Sequence, residues 1–283
     1  MKTVSHSPDI QTISKKLKST GKTIGFVPTM GFLHEGHLSL IRESKKRCDI
    51  TVVSIFVNPT QFGPTEDFNK YPRDVERDNK FLEDEGVDFL FLPSTEEIYP
   101  KDFQTYVNVE YVTKKLEGEF RPTHFRGVAT VVLILFNSVQ PDFAFFGQKD
   151  AQQLAVIKQM VKDLKLDVKI VSCPIVREPD GLAMSSRNVY LSASERKDAL
   201  VLFHSLQKAK KLISAGETRV SIILSELAEI FTRVSSASLD YIKIVEADTF
   251  EIVDELIKGK SYYILIACKI GKTRLIDNIL ITL

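Results

Sequence analysis

Between Thr23 and Cys173, short β-branched or apolar runs alternate with segments whose apolar residues recur at helical spacing, and no other feature restricts the fold as sharply. Thr23–Val27, Asp49–Val57, Val87–Leu92, Asp142–Phe146 and Val168–Cys173 read as buried strands. Gly36–Arg47, Val75–Glu85, about 127–138 and Ala151–Leu164 read as helices. Strands that are apolar nearly throughout need cover on both faces, and intervening helices supply it. The expectation is an α/β fold with a parallel, doubly wound sheet. Ahead of this block, Ser7-Pro8-Asp9 offers capping chemistry for a helix that Gly21 can stop, so a helix is expected before the first strand.

After Val176 the pattern changes. Two helices, Ser194–Ala215 and Val220–Val234, precede three strands, Asp240–Glu246, Tyr262–Ile270 and Thr273–Ile281. Helices followed by adjacent strands predict a second, smaller α+β domain. Residues 1–176 are therefore assigned to the first domain and 177–283 to the second, the boundary falling near 176–190. The 283 residues are 43% apolar and 27% charged, which is enough to build cores and excludes a disordered chain. With 38 Lys+Arg against 37 Asp+Glu and no basic block, nothing points to nucleic acid or an anionic membrane. No signal-like start or run of about 18 apolar residues occurs, and Cys48, Cys173 and Cys268 lie far apart. These features predict a cytoplasmic protein with reduced thiols.

Three clusters carry chemistry. Pro28-Thr29-Met30-Gly31-Phe32-Leu33-His34-Glu35-Gly36-His37 lies where the first predicted strand meets the next helix, the edge at which open α/β sheets bind ligands. Backbone N–H groups and two imidazoles at a helix start suit phosphate, with Gly31 and Gly36 permitting close approach; structural histidines or a metal are the alternatives. Gly147-Gln148-Lys149-Asp150 follows the strand ending at Phe146 and leads to Gln153. Lys149 can meet a phosphate and Asp150 a ribose or a helix start, although a capped surface loop would look the same. Met184-Ser185-Ser186-Arg187-Asn188 follows a Pro179-Asp180-Gly181 turn. Its hydroxyls and guanidinium suit a triphosphate if the segment closes on it, although a simple helix-capping turn would look the same. Asn58 and Gln61 add neutral amides at the same sheet edge, able to read a small acid or simply to form an Asx-type turn.

The strings PTMGFLHEGHLSLI (28–41), VSIFVNPTQFGPTEDFNKYPRD (53–74), FRPTHFRGVATVV (120–132), FFGQKDAQQL (145–154) and REPDGLAMSSRNVYLS (177–192) together resemble the pantothenate synthetase family, within the nucleotidyltransferase-like Rossmann group. The resemblance runs over nearly the whole chain. It makes His34-Glu35-Gly36-His37 the H-x-G-H signature and Met184–Arg187 a mobile KMSKS-like segment. It implies that ATP, (R)-pantoate and β-alanine give pantothenate, AMP and pyrophosphate through pantoyl adenylate, with magnesium accompanying ATP. By position, His34, His37, Lys149, Ser185, Ser186 and Arg187 would act on the phosphates. Pro28, Thr29, Met30, Gly31, Gly147, Asp150, Val176 and Met184 would line the rest of ATP. Gln61 and Gln153 would hold pantoate, with Met30, Phe62 and Val131 beside its methyl groups. Asp78 matches a carboxylate linked to magnesium, although its neighbour is Arg77, and Gln148 stands where the family commonly has Glu. A homodimer and a lid role for the second domain are likewise implied. A nucleotidylyltransferase and a non-catalytic nucleotide binder share the signature. The first would make a nucleotide-linked product instead of an amide, and the second would give no turnover.

Overall fold

The computed structural model describes residues 1–64 and 66–283, which form two compact units. One comprises Met1–Gln148 with Gln152–Pro174, the other Lys149–Ala151 with Ile175–Leu283. The short segment Lys149–Ala151 thus groups with the C-terminal half although its flanks do not.

The first unit contains strands β1 (Lys2–Val4), β2 (Ile24–Thr29), β3 (Ile50–Ile55), β4 (Phe89–Phe91), β5 (Phe143–Gly147) and β6 (Lys169–Cys173). Its helices are α1 (Ser7–Ser19), α2 (Glu35–Arg47), α3 (Val75–Asp84), α4 (Thr95–Ile98), α5 (Glu117–Phe120), α6 (His124–Val139) and most of α7 (Ala151–Asp163). The strands form one sheet in the order β1-β4-β3-β2-β5-β6, with every pairing parallel. Successive side chains of a strand point to opposite faces, and the two cores follow that alternation. Phe26, Val52, Phe91 and Ala144 join Ile10 of α1, the apolar side of α6, and Leu154 and Ile157 of α7. Val27, Val53, Leu90 and Phe145 join Leu40 and Ile41 of α2 and Leu82 of α3. The sheet is therefore covered on both faces, as the apolar strand runs require.

The chain runs outward from β2 to β3 and β4 on one side, and from β5 to β6 on the other. The β2/β5 junction is thus the switch point, where ligands bind at the carboxyl ends of parallel strands. Pairing between these two strands is confined to Gly25 and Phe26, so β2 continues through Pro28 and Thr29 without β5 alongside.

The second unit contains α8 (Ala193–Asp198), α9 (Leu200–Ser214) and α10 (Val220–Thr232), followed by β7 (Ala237–Glu246), β8 (Ser261–Ile270) and β9 (Thr273–Thr282). These strands form an antiparallel β7-β8-β9 sheet. Alternate β8 residues Tyr262, Ile264, Ile266 and Cys268 pack with Leu202 and Leu206 of α9 and Ile223 and Leu227 of α10.

Three local expectations need correction. A strand, β1, precedes the first helix; at three residues with one buried side chain, its pattern is too short to read. Helix α1 is not capped by Ser7: its cap residue is His6, without a side-chain cap, and the Ser7 N–H is bonded by Glu97 from a distant segment. The long helix expected at 194–215 is two, divided at Ala199, with Ser192 and Glu195 forming a capping box that starts the first at Ala193. Among the described residues no helix is long and apolar enough to cross a membrane.

Candidate active site

The chain leaves β2 at Thr29, whose Oγ1 donates to the Ser54 carbonyl (2.8 Å) and accepts from the Gly31 N–H (3.1 Å). It then turns sharply: Gly31 has φ +80° and Phe32 φ +50°, a region that disfavours side chains. A Cβ on Gly31 would also lie 3.0 Å from Ile55 and 3.1 Å from Asp78. The turn is held from α3. Asp78 accepts from the Phe32 and Leu33 N–H groups, both at 2.7 Å, and Arg77 donates to the Leu33 carbonyl at 2.8 Å while its guanidinium lies over the Phe32 ring. Burial pushes the Asp78 carboxyl above its ordinary range, against the opposing pull of the Leu33 and Phe32 amides.

This turn delivers His34 as the cap of α2. Its Nδ1 accepts from the Gly36 N–H (3.1 Å), and the His37 Nδ1 accepts from the His34 N–H (3.3 Å), a reciprocal capping box built from two imidazoles. Because both Nδ1 atoms accept, the proton of each neutral ring sits on Nε2. The rings lie 4.1 Å apart. Two N–H donors therefore accompany the positive pole of a 13-residue helix, an arrangement suited to anionic oxygens.

At the end of β3, Asn58 and Gln61 have different tasks. Asn58 is 1% exposed and fully engaged. Its Oδ1 accepts from the Thr60 N–H and hydroxyl and from the Tyr99 hydroxyl, and its Nδ2 donates to the Gly127 carbonyl and to Gln61 Oε1. It supports Gln61 and takes the turn-forming role the sequence left open. Gln61 Nε2 donates to Met30 Sδ (2.9 Å), so two residues expected at the acid pocket meet, although they follow different strands. Helix α6 approaches so closely here that a Cβ on Gly127 would come within 2.5 Å of the Thr60 carbonyl. The Gln61 carbonyl is held in turn by His124 Nδ1 (3.0 Å) and Arg121 (3.3 Å), and Arg121 is paired with Glu66 (2.7 Å). Arg121 also contacts His124 Nε2. Burial first, and then the Arg121 charge, lowers His124 to about 4. The imidazole is neutral, with Nε2 accepting and Nδ1 donating. Phe62 packs against Phe68 and Tyr71, and Val131 lies in the core on α6. Gln153 is half-buried in the first turn of α7, whereas its neighbour Gln152 is structural, bonding the Glu117 N–H and the Val112 and Lys115 carbonyls.

In the second unit, Lys149 Nζ lies 3.9 Å from Asp150, and residues 176–184 form a small hairpin. Met184 donates its N–H to the Val176 carbonyl (3.0 Å), and Glu178 to that of Leu182 (2.8 Å). Ser185 then caps a short 3-10 turn by accepting from the Arg187 N–H (3.3 Å), Ser186 is buried, and Asn188 ties back to the Ala183 carbonyl (3.1 Å). Met184–Arg187 thus emerges from a braced turn.

Among the described residues no group of three or more His, Cys, Asp or Glu could hold a metal. Asp78, linked to magnesium by resemblance, is 1% exposed with each oxygen on a backbone N–H.

The sequence named Asp78 only as a magnesium-linked carboxylate beside Arg77 and left Asn58 open between ligand and turn; Glu66, Arg121 and His124 lay in the matching strings without a role, and Asp277 and Asn278 of β9 carried no signal. Parallel strands, a switch point and an H-x-G-H helix start define a nucleotide-binding α/β protein of the nucleotidyltransferase-like Rossmann class. The chain belongs to the pantoate-beta-alanine ligase family, whose model matches residues 2–280. It is 60% identical over 273 residues to the pantothenate synthetase of Caldicellulosiruptor bescii, covering 96% of each chain. It is similar to the crystal structure of the Thermus thermophilus enzyme, with 45% identity, a TM-score of 0.93 and 99% of each chain covered. The Francisella tularensis pantoate-beta-alanine ligase, complexed with beta-gamma ATP and beta-alanine, is 35% identical with a TM-score of 0.80, over 99% of this chain and 97% of that one.

Proposed function

We propose that this chain condenses (R)-pantoate with β-alanine, cleaving ATP to AMP and pyrophosphate through a pantoyl adenylate, as a step in pantothenate biosynthesis. The observation that carries this reading is the H-x-G-H capping box at the β2/β5 switch point, with Gln61 on Met30 at the neighbouring strand end, in a chain of this family from residue 2 to 280.

In the first half-reaction a carboxylate oxygen of pantoate forms a bond to the α-phosphorus and the bond to pyrophosphate breaks. No protein nucleophile is needed, so positioning and charge stabilisation dominate. His34 and His37 donate from Nε2 to phosphate oxygens without adding a full charge. Lys149 and Arg187 supply cations and Ser185 and Ser186 hydroxyls, with Pro28–Gly31, Gly147, Asp150, Val176 and Met184 along the rest of the nucleotide. Gln61 and Gln153 read the hydroxyl and carboxylate oxygens of pantoate; Met30, Phe62 and Val131 form its apolar surroundings. Magnesium enters with ATP as part of the substrate, neutralising phosphate charge. In the second half-reaction the β-alanine nitrogen bonds to the acyl carbon, AMP leaves with the bonding electrons, and the nitrogen loses a proton. The adenylate is easily hydrolysed, so water exclusion by the 177–188 segment is part of the reading.

A stepwise ligase must exchange labelled pyrophosphate into ATP when pantoate and magnesium are present and β-alanine is absent. Exchange strictly dependent on β-alanine would contradict the adenylate, and a nucleotide-linked product in place of an amide would contradict the ligase.

A further inference from the structure

Asp277 and Asn278, adjacent on β9, are 3% and 2% exposed, and each reaches a segment far away in sequence. Asn278 Nδ2 donates to the Lys149 carbonyl at 2.8 Å. Asp277 receives both terminal nitrogens of Arg177, at 2.6 and 2.9 Å. Those nitrogens also donate to the Gly181 carbonyl (3.0 Å) and the Asn278 carbonyl (3.2 Å), and the guanidinium lies over the Phe203 ring. Arg177 bridges Ala183 in the hairpin whose end carries Ser185, Ser186 and Arg187. At its turn Asp180 pairs with Arg196. One short stretch of β9 therefore ties the backbone of Lys149 to the root of the Ser-Ser-Arg segment.

We propose that Asp277 and Asn278 are positioning residues that hold the Lys149 backbone and the 177–187 hairpin in one fixed relation, so that the lysine and the Ser-Ser-Arg group act on the triphosphate as a unit. This rests on the ATP reading of Lys149 given above. Two further observations agree with it. Lys149–Ala151 groups with the C-terminal unit, whereas Gln148 and Gln152 on either side group with the other. Burial pushes the Asp277 carboxyl above its ordinary range, against the opposing pull of the two-pronged Arg177 contact, so the pair is buried and matched to one partner. A lysine side chain has four rotatable carbons, and a fixed main chain is the device that limits where its ammonium goes.

The test is a double-mutant cycle on pyrophosphate exchange, with rates normalised to active sites and melting curves for every variant. Asn278→Ala is expected to lower exchange about 10-fold while the pantoate KM changes less than about 2-fold. In a Lys149→Ala background the same substitution is expected to add less than about 2-fold, because groups acting through one another are not additive. Full additivity beside an impaired Lys149→Ala would overturn the coupling and leave the ATP reading of Lys149 standing. Normal exchange in Lys149→Ala would overturn both. An Asn278→Ala loss that disappears on active-site normalisation would show a purely structural role and also overturn the proposal. If Asn278→Ala does not fold, Asn278→Ser is read in the same way, and Arg177→Lys, which loses the two-pronged contact, is expected to reproduce its effect.

Discussion

Asp78 offers a quantitative test of how the H-x-G-H loop is built. Its two oxygens accept from the Phe32 and Leu33 N–H groups at 2.7 Å in a turn with φ of +80° and +50° at Gly31 and Phe32. Asp78→Ala leaves both N–H groups unpaired, Leu33 being fully buried, at about 1–3 kcal/mol each, so about 2–6 kcal/mol in all. Against a total stability of about 5–15 kcal/mol this is a large fraction. Asp78→Asn loses one acceptor but also removes a buried charge whose carboxyl already sits above its ordinary range, so about 1 kcal/mol is expected. Urea unfolding with a chelator and without nucleotide measures these differences free of any metal. Exchange rates then report the loop: a displacement of about 1 Å at His34 or His37 would slow the chemistry about 10²-fold. If Asp78→Ala unfolded at the wild-type urea concentration and showed only a raised magnesium requirement, Asp78 would be a metal ligand and the loop-holding account would be wrong.

The remaining predictions are briefer. His124 has an ordinary value of 6.5 and is lowered to about 4 in the folded protein, so the unfolded chain binds more protons between these values. Its stability contribution is present above pH 6.5 and is lost as pH falls toward 4, by about 3 kcal/mol; His124→Asn should flatten that part of the pH–stability curve. His37→Ala and Lys149→Ala should keep their melting temperatures within a few degrees while turnover falls about 10²-fold, and near-normal turnover would remove the residue concerned from the mechanism. Gln61→Ala should lower the specificity constant for pantoate about 5- to 150-fold and leave calorimetric ATP binding without pantoate little changed. Equal loss of both would place Gln61 elsewhere.

The sequence by itself determined the architecture, because apolar runs too continuous to face water on either side admit only a sheet covered on both faces. Phe26 against Val27 and Val52 against Val53 then divide between two cores as the pleat demands. It also marked the chemistry-bearing strings, since glycine and histidine at a strand-to-helix junction have a local physical meaning. What it did not carry was the division of labour between neighbours. Asn58 and Gln61 are both amides three positions apart, yet one is a buried support and the other bonds Met30. Gln152 and Gln153 look alike, yet Gln152 fastens the 112–117 segment. Only the tertiary structure decided these roles, because each depends on partners brought close by folding: Asp78 on Phe32 from 46 positions away, His124 on Gln61 from 63, Asn278 on Lys149 from 129. Periodicity and capping act over a few residues, whereas a buried hydrogen bond is decided by which chain segment the packed core presents to it.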